Sequence, residues 1–275
     1  MKNNQKSRGK VFVWLTTKAF FLMRVILFSF GFTKFSRIPM KISDVFTDYA
    51  PIQDTKIAPL VVSNHVSWAD MFFYLWFSVS FLSKETVAHT PLVGWHAVTR
   101  QSIFLNREDS KDRDKVLNLI KERADRVRDH NDIHPLLIFP EGTCSNGRTL
   151  MNFKKGAFFT GHPLKIYVLK YNNDFQVISS IGNANAGLSI LITMLQPWNN
   201  ITLYEFSDHF DPLYSLRKRG VTLEDPEAWK YVAADVKDLM KFISGFESTE
   251  DGFRELIEFE KQALTVRNPA ELIKL

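Results

Sequence analysis

Two short apolar runs, Leu60-Val61-Val62-Ser63 and Leu136-Leu137-Ile138-Phe139, constrain this chain most. Each is too short for a helix and reads as a buried strand, and each stops in a turn, at Asn64-His65 and at Pro140-Glu141-Gly142. Ile103 to Leu105, Ile166 to Leu169 and Ile201 to Phe206 read as further strands. Ser110 to His130 is charged, with Val116, Leu119, Ile120 and Val127 at helical spacing. Met71 to Leu82 is an apolar run too short to cross a membrane, and it predicts a core helix. Strands separated by helices predict an α/β layered domain. Asp225-Pro226 predicts a helix start, followed by one apolar stripe at Trp229, Val232, Val236, Leu239 and Ile243. A second helix is expected near Asp251 to Leu264. The chain thus divides into residues 1–45, an α/β domain over 46–210 and a C-terminal helical extension over 211–275.

The first segment is unusual. Nine cations precede the first acid, Asp44, and Val11 to Phe32 is largely apolar. As a helix that stretch would be about 33 Å long, enough to cross a bilayer. Lys18 and Arg24 sit near its middle, and each costs about 2.5–3.5 kcal/mol at a bilayer centre. An N-terminal helix or helical hairpin lying in the membrane interface avoids that cost, because both cations can reach the headgroups. A single span and a buried helix are the alternatives. The net charge of +5 fits an anionic partner, and no nucleic-acid motif is present. The 24 Phe read first as a large aromatic core and second as lipid contact, and the Phe-rich start favours a membrane, whose lipids are an expected partner. Cys144 is the only cysteine, which excludes an internal disulfide and a cysteine-cluster zinc site and reads as a small packing residue.

Three segments carry chemistry. Asn64-His65-Val66-Ser67-Trp68-Ala69-Asp70 sets a His and an Asp five apart, just past a strand. With His65 in the turn and Asp70 in the first helical turn, the carboxylate can orient the imidazole as a general base. A structural pair is the plainer reading of those two residues alone. Phe139-Pro140-Glu141-Gly142-Thr143 ends a buried strand in small polar groups suited to an anionic or polyol ligand, or in an ordinary turn. Phe104-Leu105-Asn106-Arg107 puts a guanidinium past a strand end, where it can grip phosphate in two-point fashion or make a surface ion pair.

In this order the three blocks resemble the glycerolipid acyltransferases, which act on lysophospholipids or 1-acylglycerol-3-phosphate. That family carries N-H-x-S-x-x-D, an Arg block, F-P-E-G and a later apolar block with Pro, here Pro163 to Leu169. Glu141 to Asn146, Phe153 to Phe158 and Val168 to Tyr171 look most like the lysophosphatidylcholine acyltransferase branch, with Lys170 where Arg is usual. The resemblance implies transfer of an acyl chain from acyl-CoA, as co-substrate, to a lysophospholipid or glycerol phosphate at a membrane surface, in one step, with no metal and no other cofactor. It implies His65 as base, Asp70 as its partner, and Arg107, Glu141, Gly142 and Thr143 as acceptor-binding groups. By charge alone, Arg148, Lys154 and Lys155 read either as attracting the phosphates of coenzyme A or as a solvated basic face. The endoplasmic reticulum or the mitochondrial inner membrane is the expected location. A second reading makes the chain an acyltransferase-like structural subunit of a larger membrane protein assembly, mitochondrial included.

Overall fold

A computed structural model describes residues 25–52, 57–74, 76–77, 79–89, 93–105, 112–129, 134–171, 191, 193–196, 198–252, 255–256 and 258. Its strands are β1 (Phe32–Met40), β2 (Leu60–Ser63), β3 (Ser80–Lys84), β4 (Ile103–Leu105), β5 (Leu136–Ile138), β6 (Thr149–Leu150), β7 (Leu164–Tyr171), β8 (Asn199–Phe206) and β9 (Glu247–Ser248). Its helices are α1 (Ala69–Tyr74), α2 (Val93–Thr99), α3 (Asp112–Asp129), α4 (Pro212–Arg217) and α5 (Ala228–Ser244).

Seven strands form one sheet in the order β1-β8-β7-β2-β5-β3-β4, while β6 and β9 pair separately. The β7–β8 pair is antiparallel, and every other neighbouring pair in the sheet is parallel. The lack of alternation in the two apolar runs now has its cause. Leu60, Val62, Leu136 and Ile138 face one core, with Ile120 and Ala124 of α3 and Val232, Val236, Leu239 and Met240 of α5. Val61 and Leu137 face the other, with Phe73, Tyr74 and Phe81. Strands covered on both sides have no solvent face to mark with polar residues.

The stripe expected on α5 therefore belongs to the main core, where each fully buried Val or Leu contributes about 1.5–3 kcal/mol. The helix starts at Ala228, two residues after Pro226, because Asp225 to Glu227 form a turn. It stops at Gly245, whose φ of 69° suits the left-handed cap. Lys170 Nζ then takes the Ser244 carbonyl at 2.7 Å, tying α5 to β7.

Two expectations are corrected. Met71 to Leu82 is not one helix. It breaks after α1, and Ser80 and Phe81 enter the sheet against Leu136 and Leu137. Pairing to a buried neighbour overrides the helical pattern there. Phe32, counted in the apolar helical run, instead opens β1 after a turn at Gly31, whose φ is 76°. Pro39 is tolerated because β1 is an edge strand.

Of the rest of that run, residues 25–29 are helical, and residues 1–24 lie outside the described residues. No helix among the described residues is long and apolar enough to cross a membrane. Of the helix expected near Asp251 to Leu264, residues 255, 256 and 258 are helical, and most of the remainder lies outside the described residues. Phe28 and Leu195 are 68% and 75% exposed, and their backbones converge where Asn199 Nδ2 donates to Phe30 O at 2.8 Å and to Thr193 O at 3.2 Å.

Candidate active site

β2, β5 and β7 are adjacent and parallel, so their C-terminal ends, and the turns that follow β2 and β5, lie at one edge of the sheet. The turn after β2 carries His65 and leads into α1, whose first turn contains Asp70. Asp70 is fully buried, and its Oδ2 accepts from Val66 N at 2.7 Å and Ser67 N at 3.0 Å. The same oxygen stands 2.9 Å from His65 Nδ1. The carboxylate thus holds the turn and the imidazole together. Its other oxygen, Oδ1, accepts from the hydroxyl of Tyr171, the last residue of β7.

The turn after β5 grips His65 from the other side. Glu141, fully buried, accepts His65 N–H at Oε1 (2.9 Å) and Met151 N–H at Oε2 (3.0 Å). Ser145 N donates to His65 O at 2.7 Å, so both backbone groups of His65 are occupied. The Phe139 ring stacks on the imidazole with centroids 4.1 Å apart and 13° between planes. Only the imidazole edge bearing Nε2 is left, and Cys144 Sγ lies 3.3 Å from it. With Nδ1–H facing Asp70, Nε2 and the sulfur share one proton, held on sulfur in the thiol–imidazole form and on Nε2 in the thiolate–imidazolium form, and only in the second does the sulfur favour a charged His65.

Burial works against a charged His65, but the sulfur of Cys144 at Nε2 and Asp70 at Nδ1 outweigh it and raise its pKa above the ordinary value. Burial pushes the Glu141 carboxyl up to about 7, opposed by the N–H groups of Met151 and His65.

The expected acceptor-binding residues are placed as follows. Glu141 has each oxygen on a backbone N–H and none of its surface open. Gly142 turns at a φ of 72° with its N–H on Phe139 O at 3.1 Å, and a Cβ there would stand 2.5 Å from Lys154 Nζ. Glycine therefore lets that ammonium approach the turn, which Lys154 N also joins by donating to Pro140 O at 2.9 Å. Thr143 is half-buried beside Cys144. Arg107 lies outside the described residues. Sequence reasoning missed Tyr171 as a site residue. Its signal, a Tyr closing a strand, acquires meaning only once β7 is known to lie beside β2.

Residues 48–169 match the family model described as Acyltransferase. Lysophospholipid acyltransferase LPEAT2 of Arabidopsis thaliana is 31% identical over 212 residues, 77% of this chain and 36% of that protein. Lysophosphatidylcholine acyltransferase of Drosophila melanogaster is 28% identical over 256 residues, 92% of this chain and 44% of that protein. The chain thus spans less than half the length of these relatives. The crystal structure of the 1-acyl-sn-glycerophosphate (LPA) acyltransferase PlsC from Thermotoga maritima shares the fold, with a TM-score of 0.51 at 18% identity over 88% of this chain and 85% of that one.

Proposed function

Residues 48–169 belong to the acyltransferase family, and from that premise we propose that the chain moves a fatty acyl group from acyl-CoA to the hydroxyl of a lysophospholipid or glycerol phosphate. The observation that carries this reading is the 2.9 Å contact of Asp70 with His65 Nδ1, which turns Nε2 outward as a base. The acceptor hydroxyl displaces Cys144 at Nε2 and gives its proton there. Its oxygen attacks the thioester carbonyl, and the departing thiolate of coenzyme A takes the proton from His65. Arg107 and Thr143 bind the acceptor, and Lys154 and Arg148 supply positive charge for its phosphate or for coenzyme A.

A cavity of about 440 Å³ lined by Leu27, Phe28, Phe32, Phe35, Phe73 and Trp76, among others, is apolar enough for an acyl chain. Exposed Phe28, Leu195 and Trp198 favour action at a membrane surface, in the endoplasmic reticulum or mitochondrial inner membrane. The enzyme names of the relatives do not favour the structural-subunit reading.

The test is acyl transfer by the purified chain with a panel of lysophospholipids. Turnover should appear with at least one acceptor, and His65→Ala should lower it about 10²–10⁴-fold without unfolding the protein. Undiminished turnover in His65→Ala would remove the base from the mechanism.

The 3.3 Å contact of Cys144 Sγ with His65 Nε2 favours a second reading, in which the thiol takes the acyl group first. Intact mass after mixing with acyl-CoA alone separates the two. An acyl adduct chased off by acceptor supports the covalent route, and an unmodified mass with normal turnover supports direct transfer.

A further inference from the structure

We propose that Tyr171 is a positioning residue for catalysis, fixing the rotamer and the charge of Asp70, an inference that rests on His65 being the base. The four hydrogen bonds on Asp70 divide unequally. Oδ2 holds Val66 N, Ser67 N and His65 Nδ1, while Oδ1 holds the Tyr171 hydroxyl. The three on Oδ2 come from one short turn and fix the carboxylate at a single atom. Rotation about the bond to that carboxylate is stopped only by a contact at the second oxygen. Tyr171 supplies it from β7, an element separate in sequence from the turn. The tyrosine ring is itself held edge-on to Phe32 of β1, with centroids 6.2 Å apart.

The contact also sets how strongly Asp70 favours the imidazolium. A carboxylate that accepts from a phenol has less charge to offer His65. The titratable groups around this centre are Asp70 and Tyr74 on α1, Tyr171 on β7, and Glu141 and Cys144 on the turn after β5. Burial and the Asp70 carboxylate hold the Tyr171 phenol well above its ordinary pKa, so it remains a donor across the working range. Removing it leaves Asp70 more negative, His65 harder to deprotonate, and the imidazole less firmly held.

Tyr171→Phe keeps the ring and deletes the donor. The expected result is a fall in kcat of about 10- to 100-fold, the range for a hydrogen bond to a charged group. KM for both substrates should change little, and the acid limb of the kcat profile should move to higher pH. The position of that limb does not depend on how much folded enzyme is present, so partial misfolding cannot imitate the shift. In an Asp70→Asn background, Tyr171→Phe should cost nothing further. A variant with unchanged kcat and an unmoved limb would overturn the proposal, as would an undiminished loss on top of Asp70→Asn, which would put Tyr171 on the substrate instead. If His65→Ala were itself active, the base assignment would fail first. With His65→Ala inactive and Tyr171→Phe normal, only the role of Tyr171 fails.

Discussion

Replacing Glu141 by Gln separates a brace from a substrate ligand. The Glu141 carboxyl is fully buried and accepts one backbone N–H at each oxygen, His65 N at 2.9 Å and Met151 N at 3.0 Å. An amide keeps the shape but has one acceptor oxygen. Whichever way it turns, an NH2 faces a backbone N–H, whereas even a protonated carboxyl oxygen still offers a lone pair. One buried donor is left unsatisfied, at a cost of about 1–3 kcal/mol. For a domain of this size that corresponds to about 2–12 °C in Tm. The carboxyl titrates near 7 in the fold because of burial, above its ordinary 4.5. The stability it contributes is therefore full below about pH 4.5 and is lost as pH rises through about 7. Gln does not titrate, so the Tm gap between wild type and variant should narrow from pH 6 to pH 8. Thermal unfolding across that range, with kcat and acceptor KM at pH 7.5, tests this. The brace predicts lower Tm and lower kcat through a displaced His65, with acceptor KM little changed. An unchanged Tm with a large rise in acceptor KM would refute it and put the carboxylate on the acceptor.

Cys144→Ala removes the sulfur that raises His65, so the acid limb of kcat/KM should move to lower pH with most turnover retained. Loss of all turnover would argue for the covalent route. Leu239→Ala, at a fully buried position of α5, should cost about 2–5 kcal/mol by chemical denaturation. A cost below 1 kcal/mol would show that residues 211–275 are an appendage and not part of the main core.

The sequence made β2, β5 and the His65–Asp70 spacing visible, because buried strands and the turns that end them are local patterns. α3 was equally plain from its four apolar positions. The break between α1 and β3 was not, since nothing in Phe72 to Phe81 says that Ser80 and Phe81 will find Leu136 and Leu137. β1 was hidden for the same reason. Its apolar residues continue the preceding run, and only the pairing with β8 makes them a strand. The motif offers Glu141 as an acceptor-binding group, whereas its partners in the fold are the N–H groups of His65, 76 residues away, and Met151. A motif names residue types. It does not say whether a carboxylate faces a ligand or the backbone of another motif.

The same distinction explains Asn64, the first residue of the block that carries the base. Its side chain occupies the place of a strand residue. Nδ2 donates to Leu169 O at 2.9 Å, and Oδ1 accepts from Leu169 N at 2.8 Å. These bonds continue the β2–β7 ladder one step past Ser63, whose partner is Tyr167. Side chains alternate along a strand, so a slip of one residue in β7 would turn Tyr171 to the opposite face of the sheet. By holding Leu169, two residues before Tyr171, Asn64 fixes the register that brings the phenol to Asp70. A side chain bonded to strand backbone thereby determines whether a contact 101 residues apart, Tyr171 to Asp70, can form.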